Sequence, residues 1–290
     1  MSKRILLTGG TGFLGSHILA ACINRGDEVV LLKRRSSSIK RIEKHLAAIK
    51  MYDLEDISLE EILLQNKIDT IIHFATSYGK NGESLSDITN VNVDFPSKLL
   101  DAALQTNVRC FINTDTSLPA EVNHYAFTKK QFLSYLKSKA DLINIVNMVP
   151  EYFYGPRDDT WKLVTMIVQK LVQQVPVIEF TDGLQHRDFI YISDVVNAYL
   201  TVLDNNEKLK GWNEFSVCSG QTVSIRELAE RCKIVCNNTS TNLAFGALKN
   251  RQNDVLHSSG NNYGLRKLGW DVHIGLNDGI ALTRNELINN

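Results

Sequence analysis

Apolar residues enter this chain in short runs closed by glycine, then at helical spacing. Ile5, Leu6 and Leu7 form an unbroken run ending at Thr8-Gly9-Gly10, which predicts a strand over 4–8 buried on both faces. Over 15–25, Ile18, Leu19, Ala21, Cys22 and Ile23 recur at helical spacing, and Gly26 closes the helix. The same logic predicts strands over 28–33, 45–51, 70–75, 108–113 and 142–148, with helices over 92–105 and 125–138. Strands separated by helices of ten to fifteen residues imply a parallel sheet covered on both faces. Right-handed crossovers turn that into an α/β doubly wound (Rossmann) arrangement. After Pro150 the rhythm loosens around Gly155, Gly183 and Gly220. We therefore expect residues 1–150 to form the first domain. Residues 151–290 should form mainly a smaller α/β substrate lobe, with about 188–218 returning to the first domain.

Composition narrows the function classes. Thirty-two basic and thirty-two acidic residues among 290 leave no net charge. That speaks against duplex nucleic acid and against polybasic membrane attachment as partners. With 43% hydrophobic and 22% charged residues, global disorder is not expected. No apolar stretch reaches the length of a spanning helix, and the opening apolar run is too short for a targeting segment. Five cysteines (22, 110, 218, 232 and 236) contain no CxxC pair, so packing thiols in a reducing cytoplasm are expected, and no metal.

Candidate chemistry sits in two places. Thr8-Gly9-Gly10-Thr11-Gly12-Phe13-Leu14-Gly15 lies between the first strand and the first helix. There Gly9 suits a tight turn, Gly12 a close approach to pyrophosphate, and Gly15 close helix packing, with the anion on the helix N-terminus. The second strand ends in Lys33-Arg34-Arg35-Ser36, where an NAD binder normally places a carboxylate. Cations and a hydroxyl accept a 2′-phosphate, so NADP(H) is the expected cofactor; the alternative is a solvated basic run. Asp53 is a candidate for the adenine edge or, equally, a helix N-cap before Ile57.

The second place is Tyr125-Ala126-Phe127-Thr128-Lys129, a phenol and an ammonium on one helical face. A nearby ammonium favours phenolate and would tune Tyr125 for proton exchange with an alkoxide. A hydroxyl after the fifth strand should polarise the carbonyl, with Thr116 the first choice and Thr114 the second.

Together these residues resemble the extended short-chain dehydrogenase/reductase family, also called the NAD-dependent epimerase/dehydratase family, which acts on nucleotide-activated sugars. The likeness extends to Ile72-His73-Phe74-Ala75, Asn92-Val93, Tyr154-Gly155-Pro156 and the segment from Asp182 to Tyr191. Within the family, HFATSYG (73–79), NTDTSLP (113–119), PEYFYGP (150–156) and FGALKNRQND (245–254) resemble the bacterial CDP-abequose and CDP-paratose synthases. Those enzymes reduce the 4-keto group of a CDP-linked dideoxy sugar for O-antigen assembly. The resemblance implies that Thr11, Phe13, Leu14, Leu54, Phe74, Ala75, Thr76 and Asn92 contact the cofactor. It places Ser77, Tyr78, Ser117, Glu151, Arg187 and Arg251 with Thr116 on the substrate, Arg187 reaching the diphosphate. The alternative for Arg187 is an internal pair with Asp188 or Asp194.

Two departures shape the expected reaction. Family dehydratases carry Thr-Asp-Glu where this chain has Thr114-Asp115-Thr116, so elimination lacks its base. The loop 117–124 is also shorter than in the epimerases. The expectation is a cytoplasmic, homodimeric NADPH-dependent 4-ketoreductase of a nucleotide-linked sugar, most simply CDP-linked, pairing through the helices that carry Asn92 and Tyr125. The rivals are an NAD-dependent epimerase and a redox-sensing binding module on the same fold.

Overall fold

A computed structural model describes residues 2–80, 82–250 and 253–289. The chain divides into two compact units. One comprises residues 1–149 and 199–215, the other 150–198 and 216–290.

The first unit runs β1 (Arg4–Thr8), α1 (Phe13–Asn24), β2 (Glu28–Lys33), β3 (Lys50–Asp53), α2 (Leu59–Gln65) and β4 (Thr70–His73). It continues through α3 (Leu85–Thr89), α4 (Phe95–Leu104), β5 (Cys110–Thr114), α5 (His124–Ser138) and β6 (Asn144–Pro150). Next come β7 (Tyr152–Tyr154), α6 (Leu163–Val172), β8 (Val177–Phe180), β9 (His186–Tyr191), α7 (Ile192–Asn205) and β10 (Trp212–Val217). The remainder is β11 (Thr222–Ser224), α8 (Ile225–Val235), β12 (Asn242–Phe245), β13 (His257–Ser258), α9 (Tyr263–Lys267) and α10 (Leu276–Asn289).

The first unit is built on a seven-stranded sheet in the order β10-β6-β5-β4-β1-β2-β3. The pairs from β6 through to β3 are all parallel. β1, β4 and β5 are buried along almost their whole length, which is why their sequences read as continuous apolar runs. Leu6, Val30 and Ile71 from the strands pack with Leu99 and Leu100 of α4 and Phe132 and Leu136 of α5 into one core cluster. Truncating such a side chain to alanine costs about 2–5 kcal/mol. Strand order reverses between β1 and β4, and at that switch point the carboxyl ends of the strands carry the loops that hold the candidate residues.

Three sequence expectations change here. Residues 45–48 are not strand: Lys40–Ala48 winds as a 3-10 helix in which only Ile42 is buried, and β3 starts at Lys50. Ile42 is the buried point of an otherwise exposed or half-exposed stretch, while pairing with β2 sets Asp53 opposite Lys33. The helix expected from Asn92 begins earlier, at a capping box on Ser84. It passes through a π turn at Asn90–Asp94 before α4, where Pro96 has no N–H to give and the Phe95 N–H reaches back to the Asn90 carbonyl. The returning segment is 199–215, narrower than 188–218, because β9 belongs to the second unit's own four-stranded sheet with β7, β11 and β13. That unit also holds a two-stranded β8–β12 pair and helices α6, α8 and α10.

Candidate functional site

The turn between β1 and α1 is shaped by backbone contact. Gly9 has φ +67, and a Cβ there would stand 2.5 Å from the Ala75 backbone nitrogen. A Cβ on Gly15 would lie 2.3 Å from the Gly9 carbonyl, so α1 packs directly on the turn. Gly12 is the N-cap of α1. No side chain caps this helix and its first turn carries no acid, which leaves its N–H groups and positive dipole end for an anion. Phe13 and Leu14 are buried at the start of α1, with the Phe13 ring edge-on to His17.

At the ends of β2 and β3, the basic run is partly committed. Lys33 pairs with Asp53, and Arg35 pairs with Asp56 while its N–H reaches Glu55. The Leu54 N–H donates to the Lys33 carbonyl at 2.8 Å. Among the described residues, Arg34 is the cation of this run whose side chain has no carboxylate partner, and Ser36 is exposed beside it. Asp53 is not a helix N-cap: Ser58 caps α2, accepting from the Glu61 N–H at 3.1 Å.

The segment after β4 is tied down from three sides. The Phe74 N–H donates to the Thr8 carbonyl, and its ring lies 5.1 Å from that of Tyr199. His73 Nδ1 bonds Thr8 Oγ1 at 2.7 Å. Burial, reinforced by Lys129, holds the His73 imidazole well below its usual pKa. Asn92 lies in the π turn and spends its whole amide on the protein. Its oxygen accepts from the Ser77 N–H (2.8 Å) and the Thr76 hydroxyl, and its nitrogen donates to the Ser77 carbonyl and to Thr128. Asn92, expected as a cofactor contact, thereby fastens Thr76 and Ser77 to α5.

Asn123 caps α5, accepting from the Ala126 N–H at 2.9 Å, and so fixes the turn that carries Tyr125. The Tyr125 ring lies 4.9 Å from that of Tyr78, and the Thr116 hydroxyl is within hydrogen-bonding reach of its phenol. Thr114 is occupied elsewhere, bonding the Tyr199 hydroxyl at 2.8 Å. Burial pushes the Tyr125 phenol well above its usual pKa, with Tyr78 adding to the rise and Thr116 opposing it. The acidifying effect expected from Lys129 is absent among these influences. Lys129 is itself 3% exposed, and burial brings its ammonium down to about 8, with Asp115 opposing and Lys130 adding to the fall. Tyr125 is therefore held as a loaded proton donor. It can give a proton to a developing alkoxide, with the Thr116 hydroxyl nearby as a further hydrogen-bond donor.

The second unit holds the other expected contacts. Glu151 is buried and accepts from the Ser258 hydroxyl at 2.7 Å. Arg187 is also buried, but its partner is neither of the expected aspartates. It pairs with Asp254 at 2.9 Å and lies over the Tyr152 ring. Asp188 instead accepts from the Ser219 and Gly220 N–H groups, and Asp194 from those of His273 and Ile274. Arg251 lies outside the described residues. Asp254 and Tyr199 were missed from sequence, since nothing local marks a residue whose partner lies more than sixty positions away. Among the described residues, no cluster could hold a metal and no helix is long and apolar enough to cross a membrane.

A model of the family described as "NAD dependent epimerase/dehydratase family" matches residues 5–218. The chain is 32% identical over 291 aligned positions to the CDP-abequose synthase of Salmonella typhimurium, covering 97% of each chain. UDP-glucose 4-epimerase of Thermotoga maritima, solved with UDP-glucose, superposes with a TM-score of 0.86 at 21% identity, covering 99% of each chain. The Thermus thermophilus UDP-glucose 4-epimerase, solved with NAD, gives 0.82 at 21%, covering 98% of this chain and 99% of its own. At those identities the two structures speak for the fold.

Proposed function

The chain belongs to the NAD-dependent epimerase/dehydratase family, and from that premise we propose that it is a cytoplasmic, homodimeric NADPH-dependent 4-ketoreductase of a nucleotide-linked 6-deoxy or 3,6-dideoxy sugar. The carrying observation is the half-buried Tyr125 phenol, whose ring meets that of Tyr78, next to the buried Thr116 hydroxyl and one helical turn before the buried Lys129. The 32% identity to a CDP-abequose synthase supports a CDP-linked substrate and a role in O-antigen assembly.

The glycine turn and the uncapped N-terminus of α1 fit a dinucleotide pyrophosphate. Arg34 and Ser36 would take a 2′-phosphate, and Asp53 with Leu54 would flank the adenine. NADPH, when bound, supplies hydride to C4 of the sugar. The protein's own part is proton and charge management. Thr116 donates a hydrogen bond to the C4 oxygen as negative charge develops there. Tyr125 hands its phenolic proton to that oxygen, and a proton from solvent then restores the phenol. The Lys129 ammonium would also hold the nicotinamide ribose. Arg187 offers two parallel donors to the substrate diphosphate once it leaves Asp254. Thr116 stands where the dehydratases carry the glutamate base, so elimination lacks that base.

The test is NADPH oxidation against CDP-, dTDP-, GDP- and UDP-linked 4-keto sugars, with NMR of the product. Stoichiometric oxidation with one of them is the expected result. Interconversion of two epimers with no net cofactor consumption would replace this reading with an epimerase.

A further inference from the structure

The proposed chemistry uses Thr116, Tyr125 and Lys129 and leaves the neighbouring lysine without a role. Lys130 follows Lys129 on α5, yet its ammonium turns to the end of β5. It donates to Asp115 Oδ2 at 2.9 Å and to the Thr116 carbonyl at 2.6 Å. Asp115 is 4% exposed, and its other oxygen is buried with no hydrogen-bond partner. Asn147 on β6 reaches Asp115 Oδ2 at 3.4 Å and is itself held by Asn113 (2.7 Å) and Glu214 (2.9 Å). Asp115 is thus seated on the sheet by its own N–H, which donates to the Met148 carbonyl at 2.8 Å, and by side chains, whereas among the described residues the Thr116 carbonyl is held by the Lys130 ammonium. Among the described residues, the Thr116 hydroxyl accepts a long 3.3 Å bond from the Leu118 N–H, besides its approach to Tyr125.

We propose that Lys130 is a positioning residue: clamped between Asp115 and the Thr116 carbonyl, it sets the Thr116 hydroxyl against the Tyr125 phenol. The inference rests on Thr116 and Tyr125 acting together on the keto oxygen. Lys130 touches no reacting atom. It joins the helix that carries the proton donor to the strand end that carries the polarising hydroxyl, two elements whose relative placement by about an ångström governs the rate. A residue after the catalytic lysine that merely decorated the surface would not lie between a buried carboxylate and a backbone carbonyl.

Lys130→Met alone leaves Asp115 buried and unpaired, which destabilises the fold by itself. The decisive variant is therefore Lys130→Met with Asp115→Asn, alongside Lys130→Arg. In the double variant the melting temperature should stay near that of the wild type. The kcat for NADPH oxidation should fall about ten- to a hundredfold, with KM for NADPH and for the sugar moving less than about threefold. Lys130→Arg, which still offers donors to both oxygens, should keep most of kcat. A crystal structure of the ligand-free double variant should show the Thr116 hydroxyl drawn away from Tyr125. A double variant with wild-type kcat overturns the proposal, since Lys130 then only neutralises Asp115; so does an unmoved Thr116–Tyr125 contact. If the wild type reduces no 4-keto nucleotide sugar, the proposed function fails, while the variant crystal structure still decides the role of Lys130.

Discussion

Tyr125 and Lys129 do opposite things with burial. Desolvation disfavours the charged form of each, so the phenol keeps its proton and the ammonium sheds its own more easily. In the proposed reaction, removing the Tyr125 hydroxyl removes the acid. Tyr125→Phe should lower kcat at least about a hundredfold with NADPH affinity nearly unchanged, read by steady-state turnover and fluorescence titration. For Lys129 desolvation means a pH-dependent stability. The unfolded side chain titrates at its ordinary 10.5 and the folded one at about 8. Between those values the unfolded chain holds a proton that the folded one lacks, so this residue's contribution to stability rises with pH across the window. Ligand-free Lys129→Met should melt above the wild type below pH 8, and the gap should narrow from 8 to 10.5. A gap that stays constant in thermal melts across that range would mean the ammonium is not desolvated.

Helix α5 shows how an element places a residue. Its N-cap, Asn123, holds the turn just before Tyr125, and Asn92, presented by the π turn, fastens the loop after β4 to Thr128 on the same helix. Asn123→Ala should cost about 1 kcal/mol of stability and lower kcat more than it raises KM, measured by denaturant melts and kinetics together. The strands of the first unit were legible from sequence because both faces are buried, so apolar runs mark them directly. Residues 40–48 were not, because nearly all of that stretch faces solvent and its conformation follows from where β3 must pair with β2. The π turn was equally hidden: nothing in Asn90–Asp94 signals it except the proline two residues beyond.

At the level of the whole molecule, the thiols distinguish packing from chemistry. Burial raises Cys22, Cys110 and Cys218 to about 12, and Cys232 is fully buried, whereas Cys236 at the end of α8 is half-buried. An aromatic disulfide reagent at pH 8 should therefore label no more than one thiol per native chain, and mass spectrometry should find it on Cys236. Rapid labelling of several thiols would mean that the core opens.

The glycine turn, the buried strands and the Tyr125–Lys129 spacing follow from local pattern, because each depends on residues within a turn or two of one another. Those patterns were enough for the fold class and for the residues around which the chemistry is argued. The choice between Thr114 and Thr116 as partner of Tyr125, the commitment of Lys33 to Asp53, the pairing of Arg187 with Asp254 and the clamp made by Lys130 all required the folded chain. Each is a contact between side chains brought together by strand pairing or by a helix crossing a strand end. Charge type and spacing along the chain do not tell which of several nearby partners a buried polar group will satisfy.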